Sequence, residues 1–303
     1  TAVMMSKAVT EEQRETYLLP LLNGQLKSGF SMTEPAPGAG SDPTMLRTTA
    51  YRDGDEWVIN GHKWFTSNGS ISDFLVVMCL TDPAAGAARG ASMIIVPTRT
   101  AGVDIVRDVP SMDMPIAPRW RAGRHVHSEI IYRNVRVPYT NLLGNEGDGF
   151  KLAQSRLGPA RTHRCMEWIG MSHRAFEMLC EYSLTREAFG ASLAEKQTVQ
   201  NWIADSAAEI YAARLMVLHT AWKIDLVGDR ASRKEISMIK FTVARVLHDV
   251  VDRALQAHGS LGYSSDMPLE DMYRLARHAR IVDGPDEVHR QTVARLLLKD
   301  RRP

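Results

Sequence analysis

The sequence predicts an α+β chain, with an antiparallel β-domain in the middle followed by a C-terminal four-helix bundle. Three observations point to this. Residues 44–140 carry short apolar runs separated by turn residues, with no helical pattern of ten residues among them. From Gly149 onward the apolar residues recur at three- and four-residue steps, the period of a helix. The two textures do not alternate, which argues against a parallel βαβ sheet and for a small antiparallel sandwich or barrel. The expected divisions are 1–28, 29–145 and 146–303.

Taken in order, residues 1 to about 28 read as helical. Thr10 is a capping residue before Glu11 and Glu12, and Tyr17, Leu18, Leu19, Leu21 and Leu22 form the face to be buried. A Gly/Pro-rich loop runs from Pro35 to Pro43. Trp57-Val58-Ile59, the turn dipeptide Asn60-Gly61, and Lys63-Trp64-Phe65 read as a hairpin. Phe74–Leu80 and Met93–Val96 are unbroken apolar runs, expected where both faces of a strand are covered. His127–Tyr132 is a further strand, closed by Val135-Arg136-Val137-Pro138. Val199, Trp202, Ile203, Ala207, Ile210, Ala213, Val217, Ala221 and Ile224 mark one long amphipathic helix. Segments 150–184 and 233–258 repeat its rhythm, and a shorter helix is expected over 286–298.

Composition bounds the function. With 303 residues, a net charge of +2 and 24% charged residues, the chain offers no general nucleic-acid surface. No apolar run approaches the roughly 18 residues of a membrane span. Cys79, Cys165 and Cys180 lie far apart and read as small core residues of a reducing compartment. No GxGxxG, GxxxxGK[ST], HExxH or GxSxG string is present. His125 and His127 share one strand face and read as surface or substrate-contacting residues rather than metal ligands. The N-terminus carries no signal peptide.

Near the C-terminus, Ile281-Val282-Asp283-Gly284-Pro285-Asp286 reads locally as a helix entry. Pro285 stands at the first helical position, with Asp286 and Glu287 in the first turn. Upstream strings give Asp283 a second meaning. Phe30-Ser31-Met32-Thr33-Glu34-Pro35 with Gly38-Ala39-Gly40-Ser41-Asp42 resembles the flavin-loop signature of the acyl-CoA dehydrogenases. Ile59–Gly69 is similar to the family's second flavin segment. Arg186-Glu187-Ala188-Phe189-Gly190 with Gln197, and Gln256–Tyr263, resemble its third and fourth. The strings occur in the family's order, from about residue 9 to the end. The implied fold is an N-terminal helical domain, a middle β-domain and a C-terminal four-helix bundle, with the first of these largely missing before Thr1.

The resemblance implies FAD as cofactor. Met32 and Thr33 are expected at the pyrimidine end of the flavin, Phe65 on its ring and Ser67 near N5, with Phe30 and Thr66 in the same segments. Ser41 is expected beside both the flavin pyrophosphate and the phosphopantetheine side of acyl-CoA. Arg186, Phe189, Gln197, Gln256, Gly259 and Ser260 resemble the residues through which two chains share one cofactor, and Pro285, Asp286 and Glu287 are counted with them. A homodimer or dimer of dimers is therefore implied. Arg161 aligns with the arginine used beside the CoA nucleotide, and Gly284 leaves room for the thioester.

The implied reaction is α,β-dehydrogenation of acyl-CoA to trans-2-enoyl-CoA. Asp283 removes the α-proton, and electrons pass on to an electron-transfer flavoprotein. An apolar neighbourhood strengthens such a base. The implied compartment is the cytoplasm for a bacterial source, or the mitochondrial matrix or peroxisome for a eukaryotic one. Three departures from the common pattern stand out. Asp283 replaces the usual glutamate, which shortens the reach by about 1.5 Å. The first loop is two residues longer, and Phe65 stands where tryptophan is usual. The string Asp283–His289 resembles the long- and branched-chain branch. Nitroalkane oxidase also uses aspartate, so a flavin oxidase on the same fold is an alternative, as is a catalytically weak flavin- or acyl-CoA-binding scaffold.

Overall fold

The computed structural model describes residues 1–113 and 126–299, so His125 lies outside the described residues. Two compact units result, one from residues 1–111 and 126–156, the other from residues 112–113 and 157–299. Mixed α+β architecture is what the sequence predicted. Among the described residues no helix is long and apolar enough to cross a membrane.

The first unit is built on an eight-stranded sheet among the described residues. Its strands are β1 (Ser28–Ser31), β2 (Thr49–Asp53), β3 (Glu56–Ser67), β4 (Phe74–Leu80), β5 (Ala91–Pro97), β6 (Val103–Asp108), β7 (His127–Pro138) and β8 (Leu142–Leu143). The order is β6-β7-β3-β2-β4-β5-β8, with β1 also paired to β4. The apolar runs β4 and β5 are buried nearly throughout. Their alternation divides them between two cores. Leu75, Val77, Ile94 and Val96 join Trp57, Ile59, Ile130 and Val135 on one face. Phe74, Val76, Met93 and Ile95 join Met4, Met5 and Leu18 on the other. The N-terminal residues thus cover one sheet face. Thr10 caps as expected, in a reciprocal pair with Gln13 at 3.2 Å each way. The Gln13 Nε2 then donates to the carbonyls of Thr140 and Leu142.

Two expectations are corrected here. The sheet is mixed rather than wholly antiparallel, because β1 runs parallel to β4 over Ser28–Ser31. Parallel neighbours need a long connection, and the excursion through β2 and β3 supplies it. The Asn60-Gly61 turn does not form either, since β3 runs unbroken from Glu56 to Ser67. The hairpin closes earlier, at Gly54-Asp55, between the paired residues Asp53 and Glu56. Gly54 has φ +62°, which a two-residue turn requires. Asn60 instead exchanges two hydrogen bonds with Asn134 at 2.8 and 3.0 Å. A Cβ at Gly61 would overlap Thr48, so that glycine serves a close approach rather than a turn.

The second unit is helical: α1 (Gly149–Thr185, most of which lies here), α2 (Gln197–Ala231), α3 (Arg233–His258), α4 (Leu269–Ala279) and α5 (Asp286–Lys299). The sequence reading missed α4, whose Leu269, Met272, Ala276 and Ala279 are buried against α3 residues such as Val243 and Leu247. The helix sits between Pro268 and the Asp283 loop, and its eleven residues carry only three turns of pattern. Trp168, Ile169 and Leu179 of α1 and Ile210, Ala213 and Val217 of α2 complete the core. On α2, by contrast, Tyr211, Leu215, Leu218, Trp222 and Leu226 form an exposed stripe. Gly259, at φ +60°, ends α3 as expected, whereas Gly262 is buried inside the following turn.

Candidate active site

Each unit holds its own cluster of candidate residues. In the first unit, the end of β1 and the loop after it are stitched to the end of β3. Lys63 Nζ donates to the Met32 carbonyl at 2.8 Å and to Glu34 Oε1 at 2.9 Å. Trp64 N donates to the Thr33 carbonyl at 3.0 Å. Ser31 Oγ lies 3.0 Å from Thr66 Oγ1 and 3.0 Å from the Tyr132 hydroxyl. The first two flavin-like strings are therefore brought side by side.

Lys63 and Glu34 form the rigid part of this arrangement, and both side chains are buried. Glu34 also receives the backbone N–H groups of Arg47 and Thr48 at 2.8 Å and of Ala39 at 3.1 Å. Burial alone would push the Glu34 carboxyl up, but the Lys63 ammonium and the donors outweigh it and hold the group at about 2. Burial pulls Lys63 below its ordinary value, and Glu34 opposes that pull. The sequence reading gave neither residue a role. No local signal marked them, because Lys63 stands among polar neighbours such as Asn60, His62 and Thr66.

From this base two side chains emerge. Phe65 is 40% exposed and has φ +52°, with its ring edge-on to Trp64 at 5.0 Å. Ser67 is exposed, and its Oγ lies 3.0 Å from Nδ1 of His127. His127 is thus a buried partner of Ser67, where the sequence suggested a surface or substrate contact. Phe30, Met32 and Thr33 are partly exposed, and Ser41 is exposed beside Asp42, whose carboxylate takes the Thr44 N–H. Thr66 is corrected: it is 0% exposed and faces Ser31, so it offers no surface to a cofactor.

In the second unit the centre is Asp283, half-buried at φ +55°. Its carbonyl accepts from Arg161 Nε at 2.9 Å and from His289 Nε2 at 3.2 Å. Its carboxylate has no hydrogen bond or ion pair with any described residue. Ile281 is exposed and Val282 packs on the helical core, while Arg161, His289 and Lys240 face the same loop. Burial, and then the Arg161 charge, pull His289 down to about 4. Burial pushes the thiol of Cys165 up to about 12.

Asp286 is corrected as well. It is 1% exposed and engaged inside the unit, with Arg280 Nε at 3.0 Å and Lys240 Nζ at 3.6 Å. Pro285 and Glu287 stand at the start of α5 as expected, with Glu287 exposed. Arg161, read beside the CoA nucleotide, has its Nε turned to the Asp283 loop, a contact the sequence could not reveal.

The third and fourth strings both lie within this unit, near Tyr182, which precedes the third, and His258, which belongs to the fourth. Tyr182 stacks on His258 at 4.1 Å, joining the ends of α1 and α3. Arg186, Gln197, Gln256, Gly259 and Ser260 are all exposed. Phe189 is 100% exposed at the tip of a short hairpin, with φ +53° followed by Gly190 at +75°.

Comparisons with known proteins agree with the two-part reading. The profile of the acyl-CoA dehydrogenase middle domain matches residues 29–118, and that of the acyl-CoA dehydrogenase C-terminal domain matches residues 147–298. A probable acyl-CoA dehydrogenase of Mycobacterium tuberculosis is 48% identical over 288 residues, covering 94% of this chain and 69% of that protein. Acyl-CoA dehydrogenase family member 11 of Gallus gallus is 42% identical over 295 residues, covering 96% of this chain and 37% of that protein. A solved acyl-CoA dehydrogenase-type structure from Mycobacterium abscessus superposes with a TM-score of 0.92 at 39% identity, covering 99% of this chain and 73% of that one.

Proposed function

We propose that this chain, which belongs to the acyl-CoA dehydrogenase family, carries out flavin-dependent α,β-dehydrogenation of an acyl-CoA thioester to the trans-2-enoyl-CoA. The observation that carries the reading is Asp283. Its half-buried carboxylate makes no hydrogen bond or close ion pair with a described residue, only a longer-range interaction with the Lys240 ammonium, and a carboxylate left open in this way is a candidate for chemistry. In this reading it removes the α-proton of the thioester. Val282 packs on the helical core beside it. Gly284, without a side chain, leaves space next to it.

The residues of the first unit fit a flavin. Phe65 presents an aromatic ring, Ser67 presents a hydroxyl held by His127, and Met32 and Thr33 sit on a loop fixed from behind by Lys63 and Glu34. When bound, FAD supplies the two-electron acceptor for the β-hydrogen, which leaves as hydride. Arg186, Phe189, Gln197, Gln256, Gly259 and Ser260 form the share of a cofactor site given to a second chain. Their exposure in a single chain supports a homodimer or a dimer of dimers, and so does the apolar stripe on α2. An electron-transfer flavoprotein is the proposed acceptor, and medium to long or branched acyl-CoA the proposed substrate class.

The test is anaerobic bleaching of the bound flavin by a panel of acyl-CoA chain lengths. Asp283→Asn is expected to retain flavin and lose bleaching; a variant that bleaches like the parent rules out the base assignment. Peroxide formed under air without an added acceptor would assign the oxidase reading instead. A colourless protein that takes up no FAD would assign the scaffold.

A further inference from the structure

We infer that Arg161 and His289 are positioning residues that clamp the backbone carbonyl of Asp283 and so hold the left-handed backbone from which this short side chain works. The inference rests on Asp283 being the base. A non-glycine residue in the left-handed region costs about 1–3 kcal/mol and persists only when its surroundings over-determine it. At Asp283, φ is +55°, and Gly284 continues the distortion at +102°.

Two donors converge on the Asp283 carbonyl from different helices. Arg161 reaches it from α1, 122 residues away in sequence, at 2.9 Å. His289 reaches back from the second turn of α5 at 3.2 Å. The His289 ring also lies against the next residue, since a Cβ at Gly284 would stand 2.9 Å from Nε2. On the far side Asp286 N donates to the Arg280 carbonyl at 3.2 Å, closing the loop. Asp286 is itself tied to Arg280 and to the buried Lys240, which anchors the helix end that carries His289.

The chemistry of the two donors is unequal, and that matters for a base. Arg161 is a permanent cation. His289 is neutral near pH 7, because burial and the neighbouring Arg161 depress it to about 4. Its single N–H must then sit on Nε2 to serve the carbonyl. Lys240, tied to Asp286, is a further cation acting on both Asp283 and His289. A neutral imidazole supplies the geometric restraint without adding a third positive charge to this cluster. Aspartate reaches about 1.5 Å less than glutamate. Catalysis that tolerates little misplacement therefore depends on where the backbone is held.

The experiment uses the FAD-loaded protein with His289→Leu, which removes the donor, and His289→Gln, which keeps an N–H at similar reach. Deuterium exchange of segment 281–286 reads the clamp, and anaerobic flavin bleaching at saturating acyl-CoA reads its consequence. His289→Leu is expected to exchange faster and to bleach about 10–100-fold more slowly, with acyl-CoA affinity little changed. His289→Gln is expected to recover most of both. Arg161→Gln gives the same pair of readouts should His289→Leu fail to fold. Unchanged exchange, faster exchange with undiminished bleaching, or no rescue by glutamine would each overturn the inference. Asp283→Asn separates the two ideas: if it bleaches like the parent, the base assignment fails, while the exchange data still judge the clamp.

Discussion

Removing either member of the Lys63–Glu34 pair should destabilise the sheet unit strongly and unequally. The two side chains are 0% and 3% exposed and 2.9 Å apart. Breaking a buried pair typically costs about 3–5 kcal/mol, because the survivor keeps its charge without its partner. The structure says where in that range each variant falls. In Lys63→Met, the Glu34 carboxylate keeps three backbone donors at 2.8–3.1 Å, so the loss should lie near about 3 kcal/mol. In Glu34→Gln, with the amide oxygen kept toward Lys63 and Thr48, the NH2 faces the N–H groups of Ala39 and Arg47, and the buried Lys63 ammonium loses its counter-charge and keeps only neutral acceptors. That loss should approach about 5 kcal/mol.

At about 2–4 °C per kcal/mol for a unit of this size, the two variants should melt about 6–20 °C below the parent in scanning calorimetry at neutral pH. The acid limb gives an independent check. In the folded parent Glu34 sits at about 2, below its ordinary 4.5, so its contribution is complete above 4.5 and is lost as pH falls toward 2. Lys63→Met raises the folded value and should narrow that window from below. Should both variants lie within about 1 kcal/mol of the parent, the range of an exposed pair, the reasoning about this pair is wrong.

Three further outcomes are expected. Gly284→Ala forces a Cβ to 2.9 Å from His289 Nε2 at φ +102°, and should slow anaerobic bleaching about tenfold or more. Phe189→Ser should leave stability within about 0.5 kcal/mol of the parent, because the ring is fully exposed among the described residues, yet weaken FAD retention measured by equilibrium dialysis. Leu218→Asp combined with Trp222→Asp on the exposed stripe of α2 should reduce the assembly size seen by sedimentation velocity without lowering helix content by circular dichroism.

Particular elements show what could be read in advance. The runs Phe74–Leu80 and Met93–Val96 announced strands covered on both faces, and the two cores flanking them match that. The three-and-four spacing from Val199 to Ile224 announced α2. The Asn60-Gly61 dipeptide misled because turn chemistry is local, whereas Asn134 and Thr48, distant in sequence, dictated what that stretch does. Helix α4 escaped because three turns of pattern next to a loop carry little periodic signal. Thr66 and Asp286 were counted with the cofactor residues because they stand inside the right strings, and a string does not say which way a side chain faces.

The sequence by itself determined the family, the two textures of the chain and the carboxylate at position 283, because each is written in local order and composition. Only the tertiary structure decided what holds the backbone from which that carboxylate projects. Arg161 and His289 meet at one carbonyl from opposite ends of the helical unit, and Lys63 and Glu34 meet across two strings separated along the chain. A hydrogen bond depends on distance in space, which folding sets and sequence separation does not.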